Sequence, residues 1–363
     1  MNFVLENGIA VEVRSGSGVE RGFRSFLRNY RPERGNVFAS REFSVERIGS
    51  TEVATVPFFF ILKLIFLPFG EIYLRGMVKE AGFREKIVEM IRRAETSLPL
   101  DVVRKLRRCM KAEKSKIGRM QLQMMLENLQ LAGRKSAPIC QDTGVFTFFV
   151  KGWRKLPFDV EASIKRAVEE ATEKIPLRRN LVDPLSRKTV VAASAGWQPA
   201  VHLIGSGDGE VEVELLVKGA GTENYTKLFM LRPTASEDEI LRTVLEVLEA
   251  AGGKICPPVI VGVGIGGSPE NAILLSKIAL LRPLGRRSRD GAVAEMERRI
   301  EVAAGKLGIG PMGLGGKCTV LEVHVEKAPC HTAALPVGVS FQCWVARRAV
   351  ARVKGGKMEV VEP

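Results

Sequence analysis

Histidine, tyrosine and tryptophan are scarce in this 363-residue chain, at three copies each. No zinc-finger spacing and no aromatic base-stacking signature accompanies its basic residues, so no nucleic-acid partner is expected. Six cysteines are too sparse for a disulfide scaffold in a chain this long. None stands in a CxxC pair, which argues against a zinc ribbon. Met1–Arg14 lacks a basic stretch followed by an apolar core and a small-residue cleavage site, so no secretory signal is expected. A cytoplasmic protein with reduced thiols follows, and there cysteines act as metal ligands or catalysts more often than as staples. No internal repeat is evident, and no segment reaches the roughly 20 apolar residues of a membrane span.

What is present is charge of one sign. The formal net charge is +14, on a chain whose 45% hydrophobic and 26% charged residues are those of a soluble globular protein. Such a surface draws polyanions, and it equally suits a small dianionic substrate. Composition breaks near Met77: ten of the seventeen phenylalanines precede it, and the basic residues there are arginines except for Lys63. Residues 1–76 therefore read as an atypical extension. Met77-Val-Lys-Glu reads as the opening of an ordinary amphipathic helix and as an alternative start of translation. The run Val56–Phe69, bracketed by Pro57 and Pro68 and interrupted by Lys63, reads as a buried strand or docking segment. Residues 77–348 then form the main domain and 349–363 a short tail.

From Met77 on, Phe83, Ile87, Met90, Ile91 and then Val102, Val103 and Leu106 recur at helical spacing, broken at Ser97-Leu98-Pro99. A second helical run over 116–131 ends at Gly133, a residue suited to a C-terminal cap. Strands are expected at 145–150, 211–217, 259–263 and 319–325, with helices at 161–174, 236–251, 269–281 and 290–306. The class is mixed α/β, a helical N-terminal part followed by a mixed β-sheet with packed helices.

Cys140 lies in Pro138-Ile139-Cys140-Gln141-Asp142-Thr143-Gly144, where a thiol, an amide and a carboxylate share one loop. Cys256 is fixed ahead of Pro257-Pro258, and Cys343 follows the apolar stretch 335–341. Three thiolates suffice for three irons of a [4Fe–4S] cluster and leave the fourth open as a Lewis acid. Any single cysteine is as readily a packing residue. For Cys109, on a helix, and Cys318, opening a strand, packing suffices. Spacing alone leaves Cys330 and Cys343 as rivals for the third position.

Gly262-Val263-Gly264-Ile265-Gly266-Gly267 fits GxGxxG between strand and helix. Arg282-Pro283-Leu284-Gly285 stands where a dinucleotide site needs an acidic residue, so a tight turn beside the Cys256 loop is the better account. His324 alternates with Glu322 and Glu326 and reads as solvent-facing, and His202 as structural. His331, in a Pro-Cys-His-Thr turn, is the histidine to test first.

Six blocks then line up: PICQDTG (138–144), LRRNLVDPLSRK (177–188), VKGAGTENYTKLFMLRP (217–233), CPPVIVGVGIGGSPENAILLSKIALLRPLG (256–285), GIGPMGLGGK (308–317) and PCHTAALPVGVSFQCW (329–344). In order and rough spacing they resemble the α subunit of two-subunit class I fumarate hydratases, whose relatives include L-tartrate dehydratase. The resemblance runs from about Met77 to Arg348 and implies that 77–348 is an iron–sulfur hydro-lyase domain with the class I fumarase α-subunit fold.

The resemblance further implies a [4Fe–4S] cluster on Cys140, Cys256 and Cys343, which demotes Cys330. Gln141, Arg178 and the backbone at Gly219 and Gly221 would meet the substrate carboxylates. Asp142 would transfer a proton and His331 would lie near the substrate. The implied reaction is reversible hydration of fumarate to (S)-malate, as in the tricarboxylic acid cycle, with dehydration of tartrate or a mesaconate-type acid as the alternative. A separate β subunit, in an α2β2 heterotetramer, would complete the site around a small dicarboxylate. A non-catalytic iron–sulfur or nucleic-acid-binding protein is the remoter alternative. One departure stands out: TVVAASAGWQ (189–198) occupies the place of the family's Asn-Thr-Gly-Asp-Asn segment, and this leaves the substrate open.

Overall fold

The computed structural model describes residues 78–191, 198–207, 209–354 and 357–362, and five short strands up to Pro57. The chain divides into two compact units, Met1–Arg75 and Gly76–Pro363. In the first, β1 (Asn2–Val4) pairs antiparallel with β2 (Ala10–Glu12). There β5 (Thr51–Pro57) lies between β3 (Val37–Ser40) and β4 (Ser44–Ile48). Beyond Pro57, the apolar run Val56–Phe69 lies outside the described residues.

The second unit opens with α1 (Glu80–Thr96), α2 (Leu100–Ala112) and α3 (Lys116–Lys135). Phe83, Ile87, Met90, Ile91 and Ala94 form the buried stripe of α1, and Pro99 sets the break before α2. α3 runs through Gly133, the expected cap, because the Ser136 N–H still meets the Ala132 and Gly133 carbonyls; Ser136 itself turns left-handed at φ 48°.

Two sheets follow. In the five-stranded one, β8 (Glu212–Lys218) lies between β6 (Val145–Lys151) and β13 (Arg347–Lys354), with β7 (Ala200–Leu203) and β14 (Lys357–Glu362) at the edges. Residues 349–362, set apart above as a tail, thus belong largely to this sheet. α1 and α4 (Val160–Lys174) cover one face, burying Phe148, Val150, Leu215 and Val217 against Ile87 and Ile164.

After the one-turn α5 (Ala220–Glu223), the four-stranded sheet runs in the order β11 (Val320–Ala328), β10 (Val259–Gly266), β12 (Leu335–Gln342), β9 (Lys227–Leu231). β10 is parallel to β11 and antiparallel to β12. On one face α6 (Glu237–Ala251) and α8 (Gly291–Gly305) bury Val261, Val263, Val339 and Phe341. On the other lies α7 (Pro269–Ala279), so close that a Cβ on Gly262, Gly264 or Gly338 would overlap the Ser276 or Ala272 carbonyl. The glycine-rich run therefore serves helix-to-sheet contact. Its turn, at Gly266 and Gly267, lies at the end of β10 away from Cys256, not beside it.

With helices on both faces, the polar side of β11 is not wet. His324, expected to face solvent, is fully buried with Nδ1 3.1 Å from the Ala279 carbonyl. Buried Glu322 pairs with Lys105 at 3.0 Å and accepts the Gly285 N–H at 2.8 Å. A third core joins α2 and α3 to both sheets, with Cys140, Met312, Cys343 and Trp344 packed against it. Cys109 and Cys318, for which packing was expected, form a disulfide that ties α2 to the lead into β11. Among the described residues no helix is long and apolar enough to cross a membrane.

Candidate active site

Three cysteine-bearing segments meet where the sheets adjoin. The Cys140 loop leaves α3 and is held by the Ile139 N–H on the Glu95 carbonyl (2.8 Å) and by Asn128 Nδ2 on the Ile139 carbonyl (2.9 Å). Cys256 follows a single 3-10 turn and is itself left-handed (φ 51°), a strained conformation for a residue with a side chain. Its carbonyl accepts the Trp344 N–H (3.3 Å), and the Pro257 carbonyl accepts the Met312 N–H (2.8 Å). Cys343 leaves β12 directly.

The thiols feel one another. Burial pushes the Cys343 thiol up to about 12; Arg347 opposes this, while Cys256 and Cys140 add to it. Burial and then Cys140 raise Cys256. Among the described residues no three His, Cys, Asp or Glu side chains are spaced to hold a single metal ion. Cys140, Cys256 and Cys343 lie within electrostatic reach of one another, and thiols are the donor set that an iron–sulfur group would take. Cys330 is exposed and free, at the other end of β12.

Asp142 is fixed at both oxygens, Oδ1 accepting from the Gly144 N–H (2.9 Å) and Oδ2 from the Ala220 N–H (2.7 Å). Gly219 passes so near that a Cβ would stand 2.7 Å from Asp142 Oδ2, and a Cβ on Gly221 would stand 3.1 Å from the Lys254 carbonyl. The Arg178 N–H donates to Thr143 Oγ1 (3.1 Å), as does Asn180 Nδ2 (3.1 Å), so this segment is pinned to the cysteine loop. Arg178 is exposed and lines a cavity with Gly144, Phe146, Asn180, Gln198 and Pro199. Gln141 is exposed too. Of the departing stretch 189–198, residues 192–197 lie outside the described residues.

His331 stands apart. The eight residues of β12 separate it from Cys343 by about 26 Å at the ordinary strand rise, so one chain does not bring His331 and Asp142 together. Its Nδ1 accepts the Ala333 N–H (3.1 Å).

Three buried charges near the site escaped the sequence reading. Arg347 Nη1 donates to Glu95 Oε2 (2.8 Å) and to the Asp142 carbonyl (2.9 Å), and both side chains are out of solvent. Burial, opposed by Arg347, raises the Glu95 carboxyl to about 7. Lys218 Nζ, buried and lowered to about 8 chiefly by desolvation, donates to Glu223 (3.1 Å) and Thr226 (3.1 Å). The available signal was position: Glu95 continues the Ile87–Ile91 stripe of α1, and Lys218 and Arg347 sit at the ends of apolar strands.

The sequence has counterparts among known proteins. Residues 84–352 match the family model described as Fumarate hydratase (Fumerase). A Methanocaldococcus jannaschii protein named "Putative L(+)-tartrate dehydratase subunit alpha" is 42% identical over 274 residues, covering 74% of this chain and 96% of the relative. L(+)-tartrate dehydratase subunit alpha of Escherichia coli (strain UTI89 / UPEC) is 38% identical over 262 residues, covering 71% of this chain and 86% of its own length. The protein of that name from Shigella sonnei is 37% identical, with the same coverage. The class is that of the hydro-lyases. Within it, the chain belongs to the fumarate hydratase (Fumerase) family.

Proposed function

We propose that this chain is the α subunit of an iron–sulfur hydro-lyase that interconverts a small unsaturated dicarboxylate and its 2-hydroxy form. The observation that supports this reading is the convergence of Cys140, Cys256 and Cys343 from segments more than eighty residues apart in the chain. Fumarate hydration to (S)-malate and dehydration of L(+)-tartrate both fit, the first favoured by the family's name and the second by the names of the relatives.

A [4Fe–4S] cluster on the three thiolates would supply a Lewis acid at its open iron. This chain's own residues bind and move protons. Arg178 offers a planar fork and Gln141 an amide, both on loops tied to the Cys140 segment, for the substrate carboxylates. Gly219 lets the chain come close to Asp142, Gly221 lets it pass close to the Lys254 carbonyl, and their backbone is assigned to the substrate carboxylates. Asp142, oriented by two backbone donors, takes or returns the proton at the carbon next to the hydroxyl-bearing one. His331 is given no step within one chain, because β12 holds it away.

The relatives are named as α subunits. We assign this chain a separate β subunit that completes the site, in an α2β2 assembly in the cytoplasm, with the catalytic domain running from about Met77 through the C-terminal strands β13 and β14.

Anaerobic loading with iron and sulfide tests the reading. The wild-type chain should turn brown and bind iron; Cys140→Ser should not, while Cys330→Ser should match wild type. Co-expressed with its β-type subunit, the chain should turn over fumarate or L-tartrate. Iron uptake that survives Cys140→Ser, or no turnover of fumarate, mesaconate or tartrate, rejects it.

A further inference from the structure

α3 is apolar on two faces. One, formed by Gly118, Leu122, Met125 and Ala132, is buried. The other, formed by Ile117 (52% exposed), Met120 (52%), Met124 (55%) and Leu131 (51%), is in solvent. At 3.6 residues per turn these four side chains fall within about 60° of one another, and their centre lies about 125° around the helix from that of the buried stripe. The exposed stripe is about 21 Å long. A helix that carries a second apolar face of this length has a second surface to meet.

The edges of the face are basic. Lys116 and Arg119 stand at its start, Arg134 and Lys135 at its end, and exposed Arg107 and Arg108 extend the charge onto α2. Among the described residues Lys116, Arg134, Lys135, Arg107 and Arg108 have no carboxylate partner. Glu127, the one acidic residue of α3, already receives Gln123 Nε2 at 2.9 Å.

This charge pattern selects the occupant. Two copies of α3 laid together in either direction bring basic end onto basic end, which opposes self-association. The apolar run Val56–Phe69 of the same chain carries Lys63 and no acid. A segment of another polypeptide, apolar along one side and edged with carboxylates, complements both features. We propose that the outward face of α3 seats the β-type subunit through such a segment; this rests on the reading of the chain as one subunit of two. Asn128 of the same helix holds the Ile139 carbonyl beside Cys140 (2.9 Å), so a subunit docked there stands next to the thiol loop.

The test is calorimetric titration of the full-length chain, without cluster, with its purified β-type subunit at low and high salt. Met120→Glu/Met124→Glu should weaken binding at least about 100-fold by placing carboxylates in a desolvated contact. Lys116→Glu/Arg134→Glu should weaken it about 10-fold and flatten the salt dependence. Because all four side chains are exposed, melting temperatures should not move. Unchanged affinity for both variants overturns the proposal, as does failure of the wild-type chain to bind. A wild-type dimer that Met120→Glu/Met124→Glu dissolves gives the face to a second copy and also overturns it. So does protection of Met120 and Met124 from peroxide oxidation in the isolated chain, which assigns the face to the chain's own residues. Iron loading is read separately, so a chain that takes no cluster condemns the hydro-lyase reading while the docking result stands.

Discussion

Glu113, buried in the turn between α2 and α3, accepts four backbone N–H groups. Oε1 takes those of Lys114 (2.8 Å) and Ser115 (2.9 Å), and Oε2 those of Lys317 (2.8 Å) and Cys318 (3.0 Å). It thereby fastens the helical hairpin to the glycine-rich loop, whose Met312 meets the Pro257 carbonyl beside Cys256. Glu113→Gln preserves the shape and one acceptor oxygen, but turns an –NH2 toward two donors. A hydrogen bond to a charged group contributes about 1.5–3 kcal/mol. Losing two predicts a destabilisation of about 3–6 kcal/mol, a fall in melting temperature of roughly 5–10 °C for a unit of this size.

The pH dependence has a definite sign. Burial raises the Glu113 carboxyl, yet the N–H groups of Ser115, Cys318, Lys317 and Lys114 together outweigh it and hold the group below its ordinary 4.5. A carboxyl depressed on folding contributes stability that is present in full above 4.5 and is lost as pH falls through the folded value. The gap between wild type and Glu113→Gln should therefore be widest near neutrality and close in acid. Urea unfolding from neutral to acid pH measures it. A gap under about 1 kcal/mol at neutral pH, or one that stays constant into acid, would refute the reasoning. Gly316→Ala gives an independent check, since its Cβ would stand 2.7 Å from Glu113 Oε2; its effect should be less than additive with Glu113→Gln.

Four further outcomes are expected. Thiol titration of the chain unfolded without reductant should count four thiols, those of Cys140, Cys256, Cys330 and Cys343, and a count of six would exclude the Cys109–Cys318 bond. Because that bond closes a separation of 209 residues, reducing it should lower stability by about 5 kcal/mol on the chain-entropy account. Gly264→Ala should cost about 3 kcal/mol or prevent soluble expression, because the new methyl meets the Ala272 carbonyl of α7; a urea midpoint within error of wild type contradicts the packing described. Arg347→Met should cost about 3–5 kcal/mol by stranding buried Glu95, and adding Glu95→Gln should recover part of that loss.

The local elements were legible from residue order. The stripe of α1, the break at Pro99 and the apolar runs of the central strands all follow from residue order, and these elements lie where it puts them. What spacing could not convey is what covers the second side of an element. His324 alternates as a surface residue would, but α7 lies over it. Gly262 and Gly264 match a phosphate-binding turn, and in the fold they admit a helix onto two strands. The Cys109–Cys318 bond joins residues that are only neighbours after α2 has packed against β11. Glu95 and Arg347 read as ordinary charges until the fold removes them from water together. The separation of Cys330 from Cys343 likewise depends on a strand running between them, which local context at either residue does not reveal.

The loops that carry the cysteines are held to the rest of the fold by hydrogen bonds to their backbone. The Trp344 N–H meets the Cys256 carbonyl, the Met312 N–H meets the Pro257 carbonyl, and Arg347 grips the Asp142 carbonyl. A zinc finger, by contrast, gains its shape from its metal and loses both together. On the proposed reading, loss of a cluster from these thiols should therefore leave the surrounding fold standing, and reloading should need no new synthesis of the chain.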